Sequence, residues 1–269
     1  MRRRRTALPA LVVGAIALGA VLTSAPASAA TLGSTVPAAT AGEACTPGTR
    51  VFTPEAPPAL ALLGAEDANR VATGRGVVVA VVDSGIDAGN PHLAGVVIGG
   101  VDLVGDGERA DGLSDTTGHG TAIAGQIAAQ PVDGSGVVGL APDARLLSVR
   151  VFRSNQQQDK DKGFGPTSQR IADGIHWAAD NGADIINVSI SQETDSPDLR
   201  AAVEHASAVG ALVVASGGNR ASDPDAKDGA RYPAGYEQVL GVSAADASGR
   251  ANDASTVSYT HLTLPTTPY

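Results

Sequence analysis

The hydrophobic pattern of the chain alternates short apolar runs with longer amphipathic segments. The clearest run follows Gly76, where six of the seven residues at positions 77–83 are apolar without alternation, as is typical of a strand buried on both faces of a parallel sheet. Similar runs predict strands at residues 96–104, 146–152, 184–191, 211–216 and 239–244. Helical spacing predicts helices at residues 60–71, from position 119 to about 129, at 167–181 and at 196–210. This order predicts an α/β fold of three layers, a mostly parallel sheet flanked by helices.

The two ends of the chain depart from this pattern. Four arginines at positions 2–5, an apolar run to about residue 22 and the sequence Ala-Ser-Ala at 27–29 predict a signal peptide over residues 1–29. A retained membrane anchor is the alternative, and the short, interrupted run disfavours it. Residues 30–58 are rich in Pro and Ala and are interpreted as an N-terminal arm. The folded domain is predicted to span residues 59–256, with a charged surface loop at 153–166.

Charge and cysteine content narrow the class of protein. The net charge of −9 includes the four arginines of the predicted signal peptide, so the mature chain is more acidic still. This balance argues against nucleic acid as a partner. The single cysteine, Cys45, is in an exported chain either a free thiol or one that has lost its partner. We therefore expect an exported protein of the cell envelope or the extracellular space.

Three polar residues follow predicted strands or open a predicted helix: Asp83, His119 and Asn219. In open α/β sheets, chemistry gathers at the carboxyl ends of the strands. An acid that orients a histidine, a histidine that moves a proton and an amide that donates to an oxyanion are three parts of a nucleophilic hydrolase. Each residue alone also has an ordinary explanation, as a turn or capping residue, so their combination carries the hypothesis.

The motifs around these residues resemble those of the subtilisin-like serine proteases, peptidase family S8. They read Val-Val-Asp-Ser-Gly-Ile around Asp83, Gly-His-Gly-Thr around His119 and Ser-Gly-Gly-Asn ending at Asn219, and the resemblance covers about residues 60–250. It implies an Asp-His-Ser triad for peptide hydrolysis, with Asp83 and His119 as catalytic residues and Asn219 as the oxyanion donor. It also implies a cleft that binds a polypeptide substrate, lined by Ser189, Ile190, Ser191, Gly217 and Gly218. The family usually has glycine where Ser191 stands.

A narrower resemblance is to the mycosins, subtilisin-like proteases attached to type VII secretion systems. This resemblance rests on the Pro-rich arm with Cys45, the sequence Pro-His-Leu at 91–93 and the Gly-Asp-Gly loop at 105–107. In mycosins an arm cysteine pairs with a cysteine just before the histidine motif, whereas residues 113–115 here read Leu-Ser-Asp. The alternatives are a general secreted subtilisin-like protease and a non-catalytic scaffold of a secretion complex.

The nucleophile of that family is missing from the sequence. The family places it in a Gly-Thr-Ser motif after the oxyanion asparagine, and Gly-Thr-Ser does not occur in this chain. Residues 257–269 break the acidic, Ala-rich style of the preceding sequence and resemble a translated sequencing adapter, so we interpret them as a non-native tail. Ser84 and Ser216 flank the site at positions that the family does not use for the nucleophile. We expect the chain as printed to lack the catalytic serine and to be inactive, and the domain to be incomplete at its C-terminus.

No cofactor or metal is predicted to be required. The histidines at positions 92, 176 and 205 are scattered along the chain and are predicted not to form a metal site. Structural calcium, common among subtilisins, is left open by the Asp-rich loops. The expected partners are a polypeptide substrate and the membrane complex of type VII secretion. A C-terminal membrane helix, which mycosins have, would anchor the complete protein.

Overall fold

A computed structural model of the chain describes residues 52–219, 229–246 and 248–250. The predicted signal peptide, the arm segment with Cys45 and the predicted tail at 257–269 lie outside these residues. Over the described part of the chain, the helices are too short or too polar to cross a membrane.

The described residues form six α-helices, one 3₁₀ turn and six strands. In chain order they are α1 Pro58–Leu62, α2 Ala65–Val71, β1 Val78–Asp83, the 3₁₀ turn Pro91–Leu93, β2 Val97–Asp102, α3 His119–Ala128, β3 Arg145–Arg150, α4 Gln157–Asp161, α5 Ser168–Asp180, β4 Ile185–Val188, α6 Pro197–Ala208, β5 Leu212–Ser216 and β6 Val239–Val242.

The strands make one sheet in the order β2-β3-β1-β4-β5-β6, and every neighbouring pair is parallel. The predicted α/β class and parallel sheet are confirmed. β1 is a central strand, hydrogen-bonded to β3 on one side and to β4 on the other. Because the strands are parallel, their carboxyl ends meet at one edge, where α/β proteins place their sites.

Helices cover both faces of the sheet. Val82 of β1 belongs to the larger hydrophobic core with Ile175 of α5 and Leu199 of α6. Val81, the residue before it, belongs to the second core with Ala124 of α3. Because successive side chains of a strand point to opposite faces, β1 is buried on both sides, as its unalternating pattern predicts.

Local sequence signals set the ends of the two longest helices. Thr167 caps α5, since its Oγ1 accepts a hydrogen bond from the amide of Arg170 at 3.2 Å, and Ser196 caps α6 through the amide of Leu199 at 3.4 Å. Gly210, which follows α6, has φ +92°, a conformation that glycine adopts without strain. The predicted start and end of α6 are confirmed.

Most predicted bounds lie within two residues of the observed ones, and three predicted elements differ by more. The single helix at 60–71 is two helices, α1 and α2, because Gly64 between them adopts φ +63°. The strand at 184–191 ends at Val188, where its register with β1 and β5 stops. The loop at 153–166 contains the short helix α4.

Candidate active site

Asp83 and His119 are in direct contact at the carboxyl edge of the sheet. Asp83 is the last residue of β1 and is fully buried. His119 is the first residue of α3, and its Nδ1 lies 2.6 Å from Asp83 Oδ1. The structure thus brings together two groups separated by 36 positions in the sequence.

A close approach of two backbones makes this contact possible. Gly120 follows His119, and a Cβ built on Gly120 would lie 2.1 Å from the carbonyl oxygen of Gly85 and 3.2 Å from Asp83 Cβ. No side chain fits there, so glycine at position 120 lets the start of α3 pack on the turn after β1.

The hydrogen bonds favour one tautomer of neutral His119. Asp83 Oδ1 also accepts the amide hydrogen of Ser84 at 2.7 Å, so it acts as an acceptor, and neutral His119 carries its hydrogen on Nδ1 and donates it to Asp83. The Nε2 lone pair is then free to take up a proton. The hydrogen bond to Asp83 raises the pKa of His119, as do the charges of Asp83 and Asp115, while partial burial acts in the opposite sense.

Exposure differs sharply between the two partners. The side chain of His119 is 51% exposed, whereas that of Asp83 is 0% exposed. Asp83 Oδ2 is buried and has no hydrogen-bond partner among the described residues. A buried carboxylate with an unpaired oxygen is stabilised by a nearby cation, so this arrangement favours an imidazolium at His119.

Asn219 lies at the same edge of the sheet, two strands away from Asp83. It follows β5 by three residues and is exposed. Strands are spaced by about 4.8 Å, so β5 runs about 10 Å from β1. Gly217 and Gly218 connect β5 to Asn219, and both are buried. Gly218 has φ +89°, which turns the chain sharply ahead of Asn219.

Ser189, Ile190 and Ser191 lie between these two groups. They follow β4, the strand between β1 and β5, and lead to an antiparallel bridge between Gln192 and Tyr232. Ile190 is 8% exposed and belongs to the larger core, so its side chain packs inward and its backbone is what remains to contact a ligand. Ser189 Oγ accepts a hydrogen bond from the side-chain Nδ2 of Asn187 at 2.9 Å.

No structural role was predicted from the sequence for three polar residues that surround the pair. Ser84 Oγ donates to Asp115 Oδ1 at 2.9 Å and accepts the amide of Gly120 at 3.0 Å, so its single hydrogen is already donated. Thr121 Oγ1 donates to Asp115 Oδ2 at 2.7 Å. Asp115, Ser84 and Thr121 all lie within a few residues of Asp83 or His119, and that proximity was the available signal.

A fourth residue, Arg150, was hidden by its position in an apolar strand. It ends β3, is fully buried, and stands beside Asp83 in the sheet register. Its Nε donates to the carbonyl oxygen of Ser84 at 3.2 Å. The residues that surround it, Asp102 and Asp106, are more than 40 positions away, so no local pattern reveals the cluster.

The remaining histidines are not all scattered. His176 and His205 contact each other across α5 and α6, with ring centroids 4.8 Å apart, and His205 Nε2 lies 2.7 Å from Asp180 Oδ1. His92 lies elsewhere, with Nδ1 2.7 Å from the carbonyl oxygen of Gln130. No group of three or more metal-binding side chains is found among the described residues. That no cofactor is required stays a prediction, with structural calcium as the alternative left open by the sequence.

Comparison with known proteins gives consistent matches. The sequence model of the subtilase family, Peptidase S8, matches residues 74–268. The major intracellular serine protease of Bacillus subtilis (strain 168) is 38% identical over 170 residues, which cover 63% of this chain and 51% of that protein. Thermitase of Thermoactinomyces vulgaris is 33% identical over 209 residues, 74% of this chain and 69% of that protein.

Among solved structures, MycP1 from Mycobacterium smegmatis has a similar fold. The TM-score is 0.62 at 28% sequence identity, over 78% of this chain and 62% of MycP1. The chain spans about half the length of the first curated relatives that it matches.

Proposed function

Because this chain belongs to the subtilase family, we propose that it is part of an exported serine-type endopeptidase in which Asp83 and His119 are two members of an Asp-His-Ser triad. The observation that carries the proposal is the 2.6 Å contact between His119 Nδ1 and the buried carboxylate of Asp83. That contact leaves Nε2, the other ring nitrogen of a half-exposed side chain, to act as a base. The role that we assign to each residue follows from its position.

In this proposal, His119 Nε2 takes the proton of a serine hydroxyl as the serine oxygen attacks the carbonyl carbon of a peptide bond. Asp83 keeps the ring in the tautomer with hydrogen on Nδ1 and stabilises the imidazolium that forms. His119 then gives the proton to the departing amine, and water releases the acyl group by the reverse sequence. Asn219 donates to the oxyanion that develops on the carbonyl oxygen.

The substrate in this proposal is an extended polypeptide that runs along the carboxyl edge of the sheet. Ser189, Ile190 and Ser191 leave the ladder after β4, between the strands that carry Asp83 and Asn219. Their backbone is positioned to pair with the main chain of a peptide in the manner of an added strand. Gly217 and Gly218, without side chains, would let the peptide approach Asn219.

In this proposal, the nucleophilic serine lies outside the sequence as printed. Gly-Thr-Ser is absent from the 269 residues. The hydroxyl of Ser84 is already bonded to Asp115 and Gly120, which supports the expectation that it is not the nucleophile. We therefore expect the printed chain to be inactive by itself.

Association with a type VII secretion system is the narrower form of the proposal. Solved structures of mycosins, including MycP1 from the ESX-1 type VII secretion system at 28% identity, support it. So do the sequences Pro-His-Leu at 91–93 and Gly-Asp-Gly at 105–107. Two curated relatives at 38% and 39% identity have names that mention a serine protease and no secretion system. These relatives and the lack of a cysteine at residues 113–115 favour the second candidate, a subtilisin-like protease without such a partner.

A single comparison tests the enzymatic proposal. The printed chain and the product of the genomic reading frame continued past residue 256 are purified and treated with a fluorophosphonate probe, followed by a peptidase assay. We expect the continued product to contain Gly-Thr-Ser, to bind the probe and to lose labelling on His119→Ala. The printed chain should remain unlabelled.

Two results would contradict parts of the proposed function, and a third observation would decide between its two forms. Labelling of the printed chain would show that a nucleophile exists within it. A continued reading frame without a serine in the Gly-Thr-Ser position would contradict the endopeptidase proposal and favour a scaffold role. A C-terminal hydrophobic helix in the continued frame would support the type VII assignment, and its absence would support the general secreted protease.

A further inference from the structure

Asp115 contacts residues on both sides of the candidate catalytic pair. It lies in the loop before α3, and its Oδ1 accepts hydrogen bonds from Ser84 Oγ and from the amide of Gly118, both at 2.9 Å. Its Oδ2 accepts from the amide and the hydroxyl of Thr121, at 2.9 and 2.7 Å. Ser84 is next to Asp83, and the other two residues flank His119. One carboxylate therefore joins the turn after β1 to the first turn of α3.

The hydrogen bonds of Asp115 suit an ionised carboxylate. Ser84 Oγ accepts the amide of Gly120 at 3.0 Å, and Thr121 Oγ1 accepts the amide of Asp87 at 2.9 Å. Each hydroxyl thus has its single hydrogen left to donate to Asp115. Every group named above donates its hydrogen bond to Asp115, and an ionised carboxylate only accepts hydrogen bonds.

The same contacts cap helix α3 from outside. Gly118 occupies the capping position and has no side chain to accept the free amides of the first turn. Ser84 Oγ takes the amide of Gly120, and Asp115 Oδ2 takes that of Thr121, which are unpaired within a helix. The start of a helix carries partial positive charge. A histidinium at position 119 is therefore disfavoured unless carboxylates offset that field.

We propose that Asp115 is a positioning residue that holds Asp83 and His119 in contact and favours the protonated state of His119. The proposal deepens the proposed function, because the imidazolium it favours is the intermediate of proton transfer. It does not need turnover to be tested, since the pair is present in the printed chain.

The other charged groups near α3 are engaged elsewhere. From β1 the group facing His119 is Asp83, and from the loop it is Asp115; both raise the pKa of His119. Arg150 of β3 is turned to its two buried aspartates. His92 in the 3₁₀ turn bonds to a backbone carbonyl. The titration of His119 therefore reports mainly on the two carboxylates.

The test is an NMR titration of His119 in the whole printed chain. Asp115→Asn removes the negative charge and places an NH2 group opposite groups that themselves donate hydrogen bonds. We therefore expect the midpoint of the His119 titration to move to lower pH. Asp111→Asn is the matched control, because Asp111 lies in the same loop and pairs with Arg109; it should leave the midpoint at the wild-type value. Equal midpoints in all three proteins would overturn the proposal.

A second pair of variants covers the case in which Asp115→Asn does not fold. Thr121→Val removes one hydroxyl donor and leaves the carboxylate, whereas Thr121→Ser keeps the hydroxyl. We expect the downfield signal of the His119 Nδ1 hydrogen to weaken in Thr121→Val and to persist in Thr121→Ser. Where Asp115→Asn folds, exchange of the Thr121 amide should accelerate roughly tenfold, as a charge-assisted hydrogen bond is lost. An unchanged Nδ1 signal in Thr121→Val would contradict the positioning role.

These outcomes are separate from those of the enzymatic test. Failure of the continued gene product to cleave peptides would refute the endopeptidase while leaving the His119 titration unaffected. Normal cleavage with an unshifted titration would refute the role of Asp115 and leave the enzyme intact.

Discussion

Arg150 and Asp106 form a fully buried, bidentate ion pair next to the turn that follows Asp83. Nη1 and Nη2 of Arg150 each lie 2.8 Å from one oxygen of Asp106, and both side chains are 0% exposed. Nη1 also donates to Asp102 at 2.9 Å, and Nε donates to the carbonyl of Ser84. The cluster thus connects β2, the loop after it and β3 to the residue next to the candidate acid.

We predict that Arg150→Met strongly destabilises the fold. Removing the guanidinium leaves Asp102 without its cation and Asp106 with only Arg153, 3.3 Å away, and breaking a buried pair in this way costs about 3–5 kcal/mol. Urea unfolding followed by circular dichroism measures the loss. Arg70→Met is the control, since Arg70 pairs with Glu66 on the surface and such pairs contribute about 0–1 kcal/mol. Similar losses for both variants would contradict the role given to Arg150.

The stability of the fold should depend on the ionisation of Asp106 in acid. The hydrogen bond from Arg150 lowers the pKa of Asp106 from 3.8 to about 2, against the effect of burial. Because the folded pKa lies below the unfolded one, this stabilisation is fully present above the unfolded pKa and is lost as pH falls through about 2. Its size is on the order of 2 kcal/mol.

Urea titrations of wild type and Asp106→Asn across this window provide the measurement. The asparagine variant does not titrate at position 106, so the difference in unfolding free energy between the two proteins should shrink as pH falls from about 5 to about 2. A difference that stays constant with pH would show that Asp106 has an ordinary pKa.

Two glycines of α3 should respond oppositely to alanine. A Cβ at position 120 would lie 2.1 Å from the Gly85 carbonyl oxygen, whereas nothing lies within 4 Å of one at position 125. Gly120→Ala should therefore cost about 1–3 kcal/mol or more and shift the His119 NMR signals. Gly125→Ala should be neutral or stabilising by about 0.5–1 kcal/mol. Wild-type stability and His119 signals in Gly120→Ala would refute the close packing of α3 on the turn after β1.

Replacing Asp83 by asparagine should lower the pKa of His119. The hydrogen bond to Asp83 is the main cause that raises this pKa, and a neutral amide cannot stabilise the imidazolium in the same way. Histidine NMR titration gives the value directly. Asp87→Asn, on the exposed turn nearby, is the control and should leave His119 unchanged. An unshifted midpoint in Asp83→Asn would show that the observed contact has no electrostatic consequence.

Much of the fold could be read from local patterns. The apolar run that became β1 predicted a strand covered on both faces, because burial of both faces removes the alternation of polar residues. Ser196 and Gly210 marked the ends of α6, because a capping hydroxyl and a left-handed residue act within one turn of the helix. Gly64 was overlooked as a break, since a single glycine inside a helical pattern is compatible with a continuous helix until its backbone angle is known.

The α/β class, the family and the residues Asp83 and His119 could be predicted from the sequence, because these depend on short motifs and on periodicity within single elements. The surroundings of the two residues became known only from the packing of the elements. Asp115 became a cap for a helix whose own capping position is glycine, and Arg150 acquired partners 44 and 48 residues earlier in the chain. Such contacts depend on which elements pack together, and hydrogen-bond partners distant in the chain leave no periodic signal in the sequence.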